Sequence, residues 1–156
     1  MTPIKETNYP LLEKQIASLI EDESNLIAIL SNVSAILNDS IDQINWVGFY
    51  LMENNELILG PFQGHPACVH IPIGKGVCGT AVSENKTQLV EDVHAFPGHI
   101  ACDANSKSEI VVPLHKNGTI IAVLDIDAPI TNRFKDSDKI ALERIVNVIE
   151  QQLSHS

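Results

Sequence analysis

The sequence runs to 156 residues, 44% of them hydrophobic, with ten basic against twenty acidic side chains and a formal net charge of −10. That size favours one domain with a full core that needs no metal or disulfide staples. The acidic balance speaks against nucleic acid and anionic membrane surfaces as partners. No apolar run approaches the roughly 18 residues of a membrane span, and Met1 to Pro10 carries no basic-plus-apolar leader, so a soluble cytoplasmic protein is expected.

In chain order, Leu12, Ile16, Leu19 and Ile20 recur at helical spacing, and a second helical stripe follows Ser24 in Leu26, Ile29, Leu30, Val33, Ile36 and Leu37. Asn45–Met52 alternates and carries aromatics, which suits a strand. Asn54-Asn55 signals a turn, and Glu56–Phe62 reads as the returning strand. Cys68–Ile73 and Gln88–Val90 read as short strands, with a helical turn over Thr80–Glu84 between them. The stretch Glu91 to Ser108 is irregular and long enough to be functional or disordered. Glu109–His115 and Thr119–Asp127 form a hairpin around Asn117-Gly118, a type I′ signal. A last helix follows Asp136, with Ile140, Leu142, Ile145, Val148, Ile149 and Leu153 on its stripe and Asp136 or Ser137 as its cap. Helices at both ends and strands between them favour a mainly antiparallel sheet covered by helices.

Gly74-Lys75-Gly76-Val77-Cys78-Gly79 matches G-x-G-x-x-G, with Asp92 at about the distance a ribose-binding acid would take. The match is rejected as a dinucleotide site, because two helices and a hairpin precede it and no βαβ unit opens there. A tight turn with positive φ at several positions is the better reading. The three cysteines, Cys68, Cys78 and Cys102, are an odd number with no C-x-x-C pair. A disulfide framework and a zinc site are both poorly supported by that pattern, although Cys68, His70, Cys78, His99 and Cys102 have the right ligand types to converge. Cys78 suits a buried position in an apolar turn, whereas Cys68 after His-Pro-Ala and Cys102 in a polar loop should be accessible to oxidation.

Asp125 and Asp127 share one face of their strand, where acids are depleted. They either lie on a solvated face or line a pocket for a cationic group. Pairing around Asn117-Gly118 brings Glu109 beside them. Trp46 and Tyr50 share a face with Gly48 between them, a shelf with a hollow, suited to core packing or to a wall that contacts a methyl or ammonium group.

Asn45-Trp46-Val47-Gly48-Phe49-Tyr50, Gly60-Pro61-Phe62-Gln63-Gly64 with Ala67-Cys68, Ile71 through Gly79, His99-Ile100-Ala101-Cys102-Asp103, Ser108 through Pro113, and Leu124-Asp125-Ile126-Asp127 together carry a resemblance. From about Tyr9 to Leu153 the chain resembles the free methionine-R-sulfoxide reductases, which are GAF-domain proteins. The resemblance implies an α+β GAF fold for residues 1–156 as one domain: about six antiparallel strands, with the terminal helices on one face. It implies Cys102 as catalytic thiol, Cys68 as the main recycling thiol and Cys78 as an accessory or alternative partner. It also implies that Glu109, Asp125 and Asp127 bind and polarise the substrate, that Trp46 and Tyr50 wall its pocket, and that a homodimer forms in many members.

The chemistry expected of such a site is self-consistent. A Cys102 thiolate attacks the sulfoxide sulfur, a carboxylic acid protonates the departing oxygen, and crowding of carboxylates keeps that proton available. The remaining carboxylates pair with the ammonium of a free amino acid. The resulting sulfenic acid condenses with a second thiol, and an external dithiol, thioredoxin by family analogy, restores the enzyme. Neither a metal nor an organic cofactor is required. A non-enzymatic GAF sensor for a small ligand, or a thiol redox switch without substrate, are the alternatives; a sensor would need an output domain for which 156 residues leave no room.

Overall fold

The computed structural model describes residues 2–100, 102 and 104–154. In chain order it contains α1 (Tyr9–Leu19), α2 (Leu26–Ser40), β1 (Trp46–Glu53), β2 (Glu56–Gly64), β3 (His70–Pro72), α3 (Gly76–Glu84), β4 (Gln88–Val90), β5 (Ser108–Lys116), β6 (Thr119–Ala128) and α4 (Asp136–Ser154). The strands form one sheet in the order β3-β2-β1-β6-β5-β4, and every neighbouring pair is antiparallel.

Two hairpins fix the centre of the sheet. Asn54 and Asn55 (φ 52° and 64°) join β1 to β2, and Asn117 and Gly118 (φ 54° and 77°) join β5 to β6. Positive φ at both central residues is the type I′ geometry, whose twist matches that of the flanking strands.

Alternation along the strands separates two cores. Val47, Phe49, Ile110, Val112, Leu124 and Ile126 point to one face and pack with Leu12 and Ile16 of α1, Ile29, Val33 and Leu37 of α2, and Leu142, Ile145 and Ile149 of α4. Trp46, Tyr50, Val111 and Val123 point to the other face and meet Val77, Cys78 and Ala81 of α3. The terminal helices thus cover one face, as the sequence implies, and α3 covers part of the second.

The departures from expectation are local and each has a cause. Leu19 and Ile140 do not join the buried stripes; they are 43% and 60% exposed. Helix α1 ends at Leu19, and its cap residue Ile20 takes the buried place. Ile140 precedes the buried Leu142 by two residues, which is about 200° around a helix. Neither Asp136 nor Ser137 caps α4: the carboxylate of Asp138 accepts the Lys135 N–H at 2.8 Å and the Tyr9 hydroxyl at 2.7 Å. This is the back-reaching half of a capping box.

Helix α3 begins at Gly76, four residues before the helical turn read from the sequence. Glycine is unfavourable in helices, so local propensity hides this start. Burial of Val77, Cys78 and Ala81 overrides it, and the Thr80 hydroxyl donates to the Gly76 carbonyl at 2.6 Å. Of the glycines in the rejected nucleotide motif, Gly74 and Gly76 do take positive φ (85° and 61°). Gly79 is there for space instead: a Cβ would stand 2.4 Å from the Pro72 carbonyl oxygen. Asp92, the candidate ribose acid, accepts the His94 N–H at 3.0 Å and caps a short 3-10 turn, Val93–Ala95, inside the long irregular stretch.

Candidate active site

The site lies on the α3 face, over the centre of the sheet. Antiparallel register sets Trp46 and Glu109 on either side of Asp127, and Gly48 and Val111 on either side of Asp125. Three carboxylates from β5 and β6 therefore crowd one patch of one face. They are not on a solvated face: Glu109 and Asp125 are 8% and 5% exposed, because α3 and the segment after β4 lie over them.

Helix α3 delivers Cys78 onto this patch. Its Sγ and the nearest carboxylate oxygens of Glu109 and Asp125 lie within 4.8 Å of one another. Burial, with Asp125 and Glu109 beside it, pushes the Cys78 thiol well up, so the residue is a neutral S–H that hydrogen-bonds Asp125. Burial raises Glu109 well above the ordinary carboxylate range, and repulsion from Asp125 and Asp127 adds to it. Burial also raises Asp125, against hydrogen bonds from Glu109, Cys78 and Asp127 that favour its charge. The cluster thus shares protons instead of carrying three full charges, and Glu109 is the natural holder of one.

Trp46 and Tyr50 line the same cavity, and each fastens the segment between β2 and β3. The Trp46 indole N–H donates to the His65 carbonyl at 3.1 Å, and the Tyr50 hydroxyl donates to the Cys68 carbonyl at 2.9 Å. Burial followed by the charge of Asp125 raises Tyr50, which keeps that hydroxyl a donor. Cys68 accordingly sits in a tethered loop and not in a strand as expected; β3 starts only at His70. The hollow expected at Gly48 is also filled. A Cβ there would stand 2.3 Å from Phe62 Cβ, and the Phe62 ring stacks on Trp46 at 5.1 Å between centroids.

Cys68 is disulfide-bonded to Cys102, with their Cα atoms 5.4 Å apart. Cys78 is the free cysteine, and it is buried. The Cys102 segment is held down by the Gly76 N–H, which donates to the Gly98 carbonyl at 3.2 Å, and by Ile100, which packs on Gly76. Ala101 and Asp103 of the cysteine motif lie outside the described residues.

Cys78, Cys102, Glu109, Asp125, Asp127, Trp46 and Tyr50 together line a cavity of about 40 Å³. Ala67, Ile71, Val77 and Ile100 lie in the motif runs quoted above but have no role assigned there, and Ser106 carries no signal; the chain path brings all five into the wall. His99 also lines it, and burial together with His94 lowers its pKa. His70 does not converge on the thiols; it pairs with Glu56 at the exposed edge of the sheet.

The GAF domain family matches residues 23–153. The free methionine-R-sulfoxide reductase of Escherichia coli is 51% identical over 146 residues, covering 94% of this chain and 88% of that protein. The structure of fRMsr of Staphylococcus aureus in complex with substrate is 76% identical, with a TM-score of 0.94, covering 97% and 99% of the two chains. The free methionine-R-sulfoxide reductase from Neisseria meningitidis in complex with its substrate is 39% identical, with a TM-score of 0.91, covering 99% and 97%. With this fold, this identity and this coverage, the chain belongs to the GAF-domain family and, within it, to the free methionine-R-sulfoxide reductases, a family of enzymes.

Proposed function

We propose that the protein reduces free methionine-R-sulfoxide through Cys102 as nucleophile and Cys68 as resolving thiol. The observation that supports this most is the disulfide joining Cys68 to Cys102, a wall residue of the cavity that also holds Glu109, Asp125 and Asp127. The Cys102 thiolate attacks the sulfoxide sulfur. The S–O bond breaks with transfer of the oxygen to the cysteine sulfur, and methionine leaves. A carboxylic proton, held by Glu109, meets the developing charge on that oxygen. The Cys102 sulfenic acid then condenses with the Cys68 thiol, releasing water and forming the disulfide.

Substrate selection follows from burial. An ammonium group entering the cavity finds the carboxylate oxygens of Asp125 and Asp127, whose ionised forms it favours, with no lysine or arginine among the described lining residues to compete. The uncharged amide nitrogen of a peptide-bound methionine gains nothing comparable. Trp46 and Tyr50 supply the apolar wall for the methyl group. In the disulfide state the cavity of about 40 Å³ is far below the roughly 300 Å³ at which ligand pockets begin. Entry of substrate therefore follows reduction, which frees Cys102 from Cys68.

In this reading Cys78 resolves nothing directly, because its neutral thiol is buried between α3 and the sheet, against Asp125. Thioredoxin or another dithiol donor renews the enzyme by thiol–disulfide exchange. Residues 1–156 act as one GAF unit in the cytoplasm; no helix among the described residues is long and apolar enough to cross a membrane. A homodimer is the proposed assembly, with Leu11 and Leu19 of α1, Ile27 of α2 and Ile140 of α4 as exposed apolar side chains for a second copy to cover.

Single-turnover chemistry tests the assignment. The reduced protein should lose two thiols and yield one methionine for each R-sulfoxide consumed. Cys102→Ser should yield none, and Cys68→Ser should complete the first turnover and then fail to recycle. Loss of thiols without methionine would instead identify a redox switch, and release of methionine by Cys102→Ser would remove that residue from the nucleophile role.

A further inference from the structure

The spacing of the cysteines speaks against a metal centre, but the folded chain assembles a donor set that no spacing reveals. Cys78 Sγ, a Glu109 carboxylate oxygen and an Asp125 carboxylate oxygen lie within 4.8 Å of one another, all three residues are buried, and all three line one cavity. A second observation points into that cavity. Asp125 is 5% exposed, and its Oδ1 has no hydrogen-bond partner among the described residues. A buried, unsatisfied carboxylate oxygen is costly unless something positive or protic meets it.

We propose that the site takes a divalent cation of zinc type, bound by Cys78, Glu109 and Asp125, and that the ion inhibits the enzyme by occupying the place of the substrate's ammonium group. The inhibition, though not the binding, rests on the reductase reading given above. One thiolate and two carboxylates suit a borderline ion that accepts sulfur and oxygen together, and disfavour the harder magnesium and calcium ions, which want oxygen alone. The cavity of about 40 Å³ has room for an ion and a water where an amino acid does not fit. Reduction adds a donor, because Cys102 lines the same cavity and is released when its bond to Cys68 is broken. The resting disulfide form thus offers three ligands, and the reduced form four, the number zinc prefers.

Binding exchanges protons for the ion. The Cys78 S–H proton and the proton shared within the carboxylate pair leave to solvent as the Cys78 sulfur–metal and carboxylate–metal bonds form. No electron moves. Cys78 gains a role here: a thiol too deeply buried and too firmly protonated to serve in exchange becomes the donor that decides which ions the site accepts.

The probe is zinc chloride, followed by equilibrium dialysis against the full-length protein, with cobalt(II) as the spectroscopic substitute. One equivalent should bind to the reduced protein and more weakly to the disulfide form, with a thiolate-to-cobalt charge-transfer band. Cys78→Ala should remove that band and weaken zinc by roughly tenfold or more, since even loss of a residue behind a ligand costs about that much. Asp125→Asn, which preserves shape, should weaken it similarly. Undiminished affinity in Cys78→Ala, or no stoichiometric binding to the reduced wild type, overturns the proposal. Methionine-R-sulfoxide should displace the ion. Stoichiometric, Cys78-dependent binding that substrate does not displace leaves the metal site standing and strikes at the substrate-pocket reading instead.

Discussion

The proton held by Glu109 has a consequence for stability that can be measured without substrate. Burial and the neighbouring Asp125 and Asp127 raise this carboxyl well above its ordinary value of 4.5. As pH climbs past that ordinary value, the unfolded chain releases the proton while the folded chain keeps it. The folded state then binds one proton more, so stability falls with rising pH until Glu109 itself ionises. A difference of one proton corresponds to about 1.4 kcal/mol per pH unit. Glu109→Gln keeps a donor of similar shape but cannot titrate. Its unfolding free energy should therefore lose pH dependence by up to about 1.4 kcal/mol per unit over the same window. Asp125, also raised by burial, retains its own share of the slope. Urea unfolding of the disulfide form, followed by fluorescence of the single tryptophan, Trp46, at intervals from roughly pH 5 to 8, measures both slopes. Equal slopes in wild type and Glu109→Gln would refute the placement of the proton on this residue.

Gly48→Ala should destabilise the protein by about 1–3 kcal/mol or more, since its Cβ would press on Phe62 Cβ at 2.3 Å; a thermal midpoint equal to wild type would contradict that packing. Leu124→Ala, in the fully buried layer between sheet and terminal helices, should lose about 2–5 kcal/mol by urea titration, with the redox chemistry of the opposite face retained. Tyr50→Phe removes the hydrogen bond that tethers the Cys68 carbonyl, so closure of the Cys68–Cys102 disulfide after Cys102 oxidation should slow by roughly 5–10-fold in stopped flow, the effect of about 1 kcal/mol; an unchanged closure rate would show that the tether does not position Cys68.

The narrow cavity and the proton-sharing carboxylate cluster belong together. With Cys102 drawn onto Cys68, Glu109, Asp125 and Cys78 are largely withdrawn from water, and burial favours shared protons over full charges there. On the proposed reading, reduction re-admits water and the substrate's positive charge together, and binding and proton placement become one event, because an ammonium group favours ionised Asp125 and Asp127 while Glu109 retains its proton.

Much of this was fixed by local sequence. Asn54-Asn55 and Asn117-Gly118 set both hairpin turns, because positive φ at two successive residues selects one turn type; further out the register shifts, between Gly48 and Tyr50 in one hairpin and between Leu114 and His115 in the other, and the second shift brings Glu109 opposite Asp127. Period-2 alternation placed Trp46 with Tyr50 on one face of their strand and Asp125 with Asp127 on one face of theirs, and counting outward from Asn117-Gly118 put Glu109 roughly beside the two aspartates; the pairing of β1 with β6 made these one face. What the sequence did not contain was the cover over that face. The start of α3 at Gly76 runs against helix propensity, the loop path of Cys68 depends on hydrogen bonds from Trp46 and Tyr50, and the capping of α4 by Asp138 depends on a partner, Tyr9, at the other end of the chain. Whether an acidic strand face is solvated or buried is decided by whichever segment packs over it, and that is a long-range contact. Strand periodicity could name the carboxylates; only tertiary packing could bury Glu109 and Asp125, raise the pKa values of those two, and bring two sulfurs within bonding distance.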